Sequence, residues 1–111
     1  MRILSVSLVG LALMFATPVA ASADGATLAL ELKDHKFNPL TPTIPANTEV
    51  TVTLKNLDAT PAEFESDDFS LEKVVPGNGT IIVKIGPLKA GSYEIHDEYH
   101  EAQSKTQLTV Q

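Results

Sequence analysis

Beyond residue 26, apolar and polar positions alternate with a period of two over most of the chain, which is the signature of half-buried strands. Thr27 to Leu32 sets Leu28, Leu30 and Leu32 on one face. Glu49 to Asn56 turns Val50, Val52 and Leu54 inward and Thr51, Thr53 and Lys55 outward. Ala62 to Ser66 opposes Phe64 to Glu63 and Glu65, and Leu71 to Val75 is a candidate partner for it. Thr80 to Ile85 is β-branched and apolar, the composition expected of a central strand. Lys105 to Val110 closes the chain with Thr106, Leu108 and Val110 inward.

The breaks between these runs are equally legible. Asp34 to Pro39 interrupts the alternation, and Pro39, Pro42 and Pro45 cannot donate to a ladder. They confine Leu40 to Ala46 to edge or irregular structure, with Ile44 as its anchor. Asn56 to Pro61 and Pro76 to Gly79 read as turns. No stretch past the N-terminal run keeps a 3.6-residue apolar period. Short strands separated by turn signals predict an all-β fold, an antiparallel sandwich or small barrel.

The first residues follow another pattern. Met1-Arg2 is followed by an almost wholly apolar run from Ile3 to Ala16, then by the small residues Ala21-Ser22-Ala23. This reads as a secretory signal peptide over 1–23, too short to span a membrane as a helix, ahead of one domain over 24–111. Cleavage after Ala23 leaves 111 − 23 = 88 residues, enough to bury roughly 60–65% of the unfolded surface. The absence of Cys excludes a disulfide, so packing and a bound ion are the available means of holding the fold. Loss of Arg2 leaves 7 Lys against 14 acids, a net charge of 7 − 14 = −7. That balance disfavours nucleic acid or stable association with an anionic membrane and favours cations or a basic protein.

The chemistry is concentrated in Tyr93 to Glu101, which holds four carboxylates, two imidazoles and two phenols in nine residues. Alternation places Tyr93, Ile95 and Asp97 on one face and Glu94, His96 and Glu98 on the other. Asp97 is thereby aimed at the core side, where a carboxylate needs a partner. His100 follows three positions later, and a metal ion would satisfy both; a structural Asp–His hydrogen bond is the plainer alternative. Glu63 and Glu65 share a face, a spacing that suits a divalent ion or the solvated side of a strand. His96 is expected at the surface. Glu98, Glu101, Asp67 and Asp68 are expected to form a solvated acidic rim that concentrates cations nearby.

The order of elements carries a resemblance. Phe37-Asn38-Pro39 leads to Ile44-Pro45-Ala46, a strand ends in Asn56, a turn reaches Pro61, and Gly91-Ser92-Tyr93-x-Ile95 precedes the acidic stretch. This resembles the cupredoxins, Greek-key β-sandwiches that hold copper at one end, across the whole chain after the leader. The resemblance implies that Asp97 stands where the copper-binding Cys is expected and that His100 keeps the second His position. Ala62 falls at the first His position with Glu63 beside it, and no Met follows Met14. It also brings His35 near the metal end and leaves Tyr99 beside the ligands.

Oxygen donors in place of sulfur favour Cu(II) or iron over Cu(I). In this the chain is similar to the cysteine-poor cupredoxin-like proteins of bacterial periplasmic iron uptake, which work beside an iron permease. The resemblance implies a periplasmic copper- or iron-binding protein that assists ferrous iron uptake, with oxidation of Fe(II) as one mechanism. Its expected metal residues are Asp97, His100, Glu63, Glu65 and His35. The rival functions are metal carriage without turnover and a metal-free sandwich that docks a partner through its acidic face.

Overall fold

The computed structural model describes residues 25–111, so the expected leader lies outside the described residues. Among the described residues nine strands follow in order: β1 (Ala26–Lys33), β2 (Lys36–Asn38), β3 (Thr43–Ile44), β4 (Val50–Asn56), β5 (Ala62–Ser66), β6 (Leu71–Val75), β7 (Thr80–Ile85), β8 (Gly91–Asp97) and β9 (Thr106–Val110). A single 3₁₀ turn (Glu98–His100) and a short helix α1 (Glu101–Ser104) separate β8 from β9. The strands form two sheets, a four-stranded one in the order β2-β1-β4-β7 and a five-stranded one in the order β3-β9-β8-β5-β6. The fold is a two-sheet β-sandwich, as the period-two pattern and turn spacing lead one to expect.

Alternation does the work of closing it. Leu30, Leu32, Val50, Val52, Leu54, Val83 and Ile85 of the first sheet share one core with Phe64, Val75, Ile95, Leu108 and Val110 of the second. β1 runs parallel to β4, from Ala26 opposite Val50 to Leu32 opposite Asn56, so both strands end at the same pole of the sandwich. β8 ends there too, and β5 starts there, because Phe64 lies opposite Asp97 in their antiparallel ladder.

Two expectations need correction. β7 lies at a sheet edge, not at the centre, and Ile82 on its outer face is 69% exposed. Its β-branched content fits a pleated, half-buried surface, which edge strands also offer. Asp34 to Pro39 holds a strand, where only a break in the alternation was expected. Lys33 pairs with Lys36, leaving Asp34 and His35 as a two-residue hairpin loop with positive φ at both.

The turn after β6 sets the floor under the β4–β5 loop. A Cβ on Gly77 would lie 2.0 Å from the carbonyl oxygen of Ala59. Gly77→Ala is therefore expected to displace that loop and destabilise the fold by about 1–3 kcal/mol. Thermal melting checks this; an unchanged midpoint would mean that the two turns separate freely. Among the described residues, no helix is long and apolar enough to cross a membrane.

Candidate metal centre

Asp97 is the last residue of β8, and the strand's alternation turns it inward, where it is 1% exposed. One carboxylate oxygen, Oδ1, accepts the backbone N–H of Glu63 at 2.9 Å and of Tyr99 at 3.0 Å. Oδ2 lies 3.0 Å from Nδ1 of His100. The Asp97 N–H donates to Ser104 Oγ at 2.7 Å, which fixes the strand end against α1. Asp97 also caps the 3₁₀ turn that follows, and that turn swings His100 back over the carboxylate.

His35 reaches the same point from the β1–β2 hairpin. Its ring stacks on His100 with centroids 3.6 Å apart and planes 16° from parallel. Ligand atoms of His35, Asp97 and His100 all fall within 4.8 Å of one another. Both imidazoles are part-exposed while the carboxylate is buried, so the cluster is open to solvent on its histidine side. Asp58, in the β4–β5 loop, accepts the backbone N–H groups of Asp34 and His35. Partial burial raises its pKa, but those two hydrogen bonds and the nearby imidazoles outweigh it and hold the carboxyl below its ordinary 3.8.

Glu63 and Glu65 are placed elsewhere. Phe64 points into the core, so its two neighbours point out of the opposite face of the same sheet. There Glu65 lies across from His96 on β8 and from Glu72 on β6. Ligand atoms of Glu65, His96 and Glu98 come within 4.8 Å of one another, as do those of Glu63, Glu65 and Glu72. The sandwich thus brings Asp97, His100 and His35 together and gathers the glutamates into a second cluster across the sheet.

His96 was expected at the surface; it is on the outward face, yet 0% exposed. The carboxylates cover it. Nδ1 lies 2.5 Å from Glu94 Oε1 and Nε2 lies 2.6 Å from Glu98 Oε2. Carboxylates accept hydrogen bonds, so this pairing favours an imidazolium that donates from both nitrogens. Burial opposes that charge, but the hydrogen bonds to Glu98 and Glu94 prevail and the His96 pKa is raised above 6.5. Glu65 Oε2 is buried without a hydrogen-bond partner. Desolvation, then the hydrogen bond and charge of Glu98, push Glu65 from 4.5 up to about 7.

Both shifts have the same linkage sign. A pKa raised on folding adds stability that is full below the unfolded value and is lost as pH rises through the folded one. For Glu65 the loss runs from 4.5 through about 7, and for His96 it begins near 6.5 and extends higher. The metal-free protein is expected to melt at a lower temperature near pH 8 than near pH 5, and Glu65→Gln is expected to flatten that slope. Identical pH profiles for the two proteins would contradict the assignment.

The family model described as a cupredoxin-like domain matches residues 5–110. The chain belongs to the cupredoxin-like domain family. It is 39% identical over 72 residues to an uncharacterized protein of Rickettsia prowazekii (strain Madrid E), covering 65% of this chain and 58% of that one. The alignment thus spans less than two thirds of that relative's length. Solved structures that share the fold include the following three. The metal-binding domain of the Cu(I)-exporting P-type ATPase CopA of Streptococcus pneumoniae D39 superposes with a TM-score of 0.66 at 10% identity, over 77% of this chain and 84% of that one. Auracyanin A, a blue copper protein of Chloroflexus aurantiacus, gives 0.63 at 17%, over 78% and 98%. A purple cupredoxin of Nitrosopumilus maritimus gives 0.59 at 20%, over 78% and 99%.

The donors at the polar end of this chain contain no sulfur. With no Cys and no described Met, the polar end offers two imidazoles and a carboxylate. That set fits Cu(II) or iron and is poorly suited to Cu(I), which prefers soft sulfur. Asp97 already spends Oδ1 on two amides, which leaves Oδ2, now paired to His100, as the oxygen a metal would take. Sequence reasoning missed three supports of this centre: Ser104, Asp58 and the positive-φ hairpin. The signal that could have found the last was the two polar residues between alternating runs.

Proposed function

We propose that this cupredoxin-like protein binds copper or iron at His35, Asp97 and His100 and serves ferrous iron uptake in the periplasm. The observation that carries the proposal is the convergence of two imidazoles and one buried carboxylate to within 4.8 Å at the open pole of a cupredoxin-like sandwich. Two histidines and one carboxylate with a free side form a donor set that holds Fe(II) with positions left for other ligands, and imidazole also suits copper. Support for copper comes from fold relatives described as copper proteins, including the CopA domain with Cu(I). The absence of sulfur in this chain favours Cu(II). Bound copper would supply a one-electron couple, and ferrous iron would be the substrate and cargo.

The chain's own residues have distinct parts in this. Asp97 supplies negative charge that burial keeps from being screened. His35 and His100 leave one side of the centre open to an arriving ion. The carboxylates around His96 give this pole of the molecule a negative potential that would draw cations toward it. An iron permease in the adjoining membrane is the partner that this function requires.

A second reading is favoured by one observation. Every oxygen of the Asp97 carboxylate already has a protein partner, so the cluster is also complete as a structural pin. On that reading the domain is an adaptor that docks through its acidic face. The test is Fe(II) oxidation in air by the purified protein, with and without one equivalent of Cu(II). Turnover of excess Fe(II) supports oxidation, and stoichiometric binding without turnover supports carriage. Failure of either metal to raise the melting temperature supports the adaptor, since a ligand at 100 times its Kd adds roughly 2.7 kcal/mol.

A further inference from the structure

Asp34 and His35 are the only residues between β1 and β2, with φ of 51° and 61°. Hairpins of this length favour positive φ at both positions, a conformation that glycine and asparagine adopt most readily. Asp34 suits the first position, but His35 stands where glycine is usual, and a group outside the hairpin holds both backbone amides. Asp58 does so from the β4–β5 loop. Its Oδ1 accepts the Asp34 N–H at 2.8 Å and its Oδ2 accepts the His35 N–H at 3.0 Å. Oδ2 is also 3.6 Å from His35 Nδ1, an ion-pair distance that is too long for a hydrogen bond.

Asp58 is itself anchored in the body of the sandwich. Its N–H donates to Asn56 Oδ1 at 3.0 Å, and its carbonyl accepts the N–H of Asn78 at 2.8 Å. Asn56 is buried, and its side-chain amide donates to the carbonyls of Thr60 and Pro76. A continuous set of hydrogen bonds therefore runs from a core asparagine, through Asp58, to the backbone that carries His35. The His35 ring then rests on His100, which touches Asp97.

We propose that Asp58 is a positioning residue for the metal centre: it fixes the hairpin that holds His35 against His100, and so decides whether the centre has one imidazole or two. This rests on the metal reading of His35, Asp97 and His100. Histidine ligands commonly rely on a carboxylate partner for orientation, and loss of such a partner weakens metal binding about 10–100-fold. Here the carboxylate acts chiefly through two backbone amides, so it sets the position of the whole residue.

The test is titration of the purified protein with Cu(II) alone, followed by paramagnetic resonance to count coordinated nitrogens. Wild type is expected to bind Cu(II) with two imidazole nitrogens. Asp58→Ala is expected to bind about 10–100-fold more weakly with one nitrogen, matching His35→Ala. The double variant is expected to lose no more than either single one, because both remove the same contact. Asp58→Asn, which keeps an acceptor for one turn amide, is expected to fall between and serves if Asp58→Ala fails to fold. The proposal is overturned if both Asp58 variants keep two-nitrogen spectra and wild-type affinity, or if their losses add fully to that of His35→Ala. If Asp97→Ala abolishes binding while the Asp58 variants bind like wild type, this proposal alone falls. If wild type takes up no Cu(II), the metal reading falls with it.

Discussion

Asp97→Ala is expected to abolish tight Cu(II) binding and to destabilise the metal-free fold in the same stroke. The carboxylate is the buried, charged member of the centre, and without it the two part-exposed imidazoles hold a cation no better than a surface pair. Affinity should fall more than about a hundredfold, beyond the 10–100-fold typical of supporting residues. The stability loss has a separate cause. Oδ1 accepts two amides, those of Glu63 and Tyr99, and leaving a buried donor unsatisfied costs about 1–3 kcal/mol for each group. Asp97→Asn separates the two effects, since its carbonyl can keep the amide contacts while the charge is gone. It should retain most of the melting temperature and still lose most of the Cu(II) affinity. Equal affinity in wild type and both variants would remove Asp97 from the site.

Phe64→Ala is expected to have the largest effect on the fold. Phe64 is the largest fully buried side chain among the described residues, and its ring packs at 5.6 Å from that of Phe37. Truncating a buried phenylalanine typically costs about 3–5 kcal/mol through lost transfer energy and the cavity left behind. Domains of this kind are stable by only about 5–15 kcal/mol in total. No disulfide is present to limit the damage. Phe64 also lies opposite Asp97 in the β5–β8 ladder, so a void there loosens the strand that donates to the carboxylate. The expected result is a melting temperature lowered by more than about 12 °C, at 4–8 °C per kcal/mol, or loss of a cooperative transition. Phe64→Leu should fall much less. A shift of only a degree or two for Phe64→Ala would mean that the core is not organised around this ring.

β1, β4 and β9 were legible because their apolar positions alternate, and burial of one face constrains the register of such strands. The place of a strand within its sheet was not. Thr80 to Ile85 carries the same β-branched pattern at an edge as it would at the centre, because pattern records a pleated surface and not its neighbours. Asp97 and His100 could be paired from local geometry alone, one strand end and one turn. Glu63 and Glu65 were legible as a pair, and the parity of Phe64 already separates them from Asp97. Phe64 faces inward, so both glutamates face out, whereas Asp97 faces in. Glu94 and Glu98, which close over His96, were legible on its own face, whereas the approach of Glu65 from another strand was not. The hairpin at Asp34-His35 was hidden for a similar reason: its second residue is not the usual glycine, and the group that holds the turn is Asp58, far along the chain.

The central claim is that two histidines and Asp97 form a metal centre without sulfur on a cupredoxin-like sandwich. Titration of the purified protein with Cu(II), read by paramagnetic resonance and visible absorption, tests it most directly. The predicted result is one bound ion with two imidazole nitrogens and no intense blue band, lost in Asp97→Ala and in His100→Ala. Binding that survives both substitutions unchanged, or no binding at all, would contradict it.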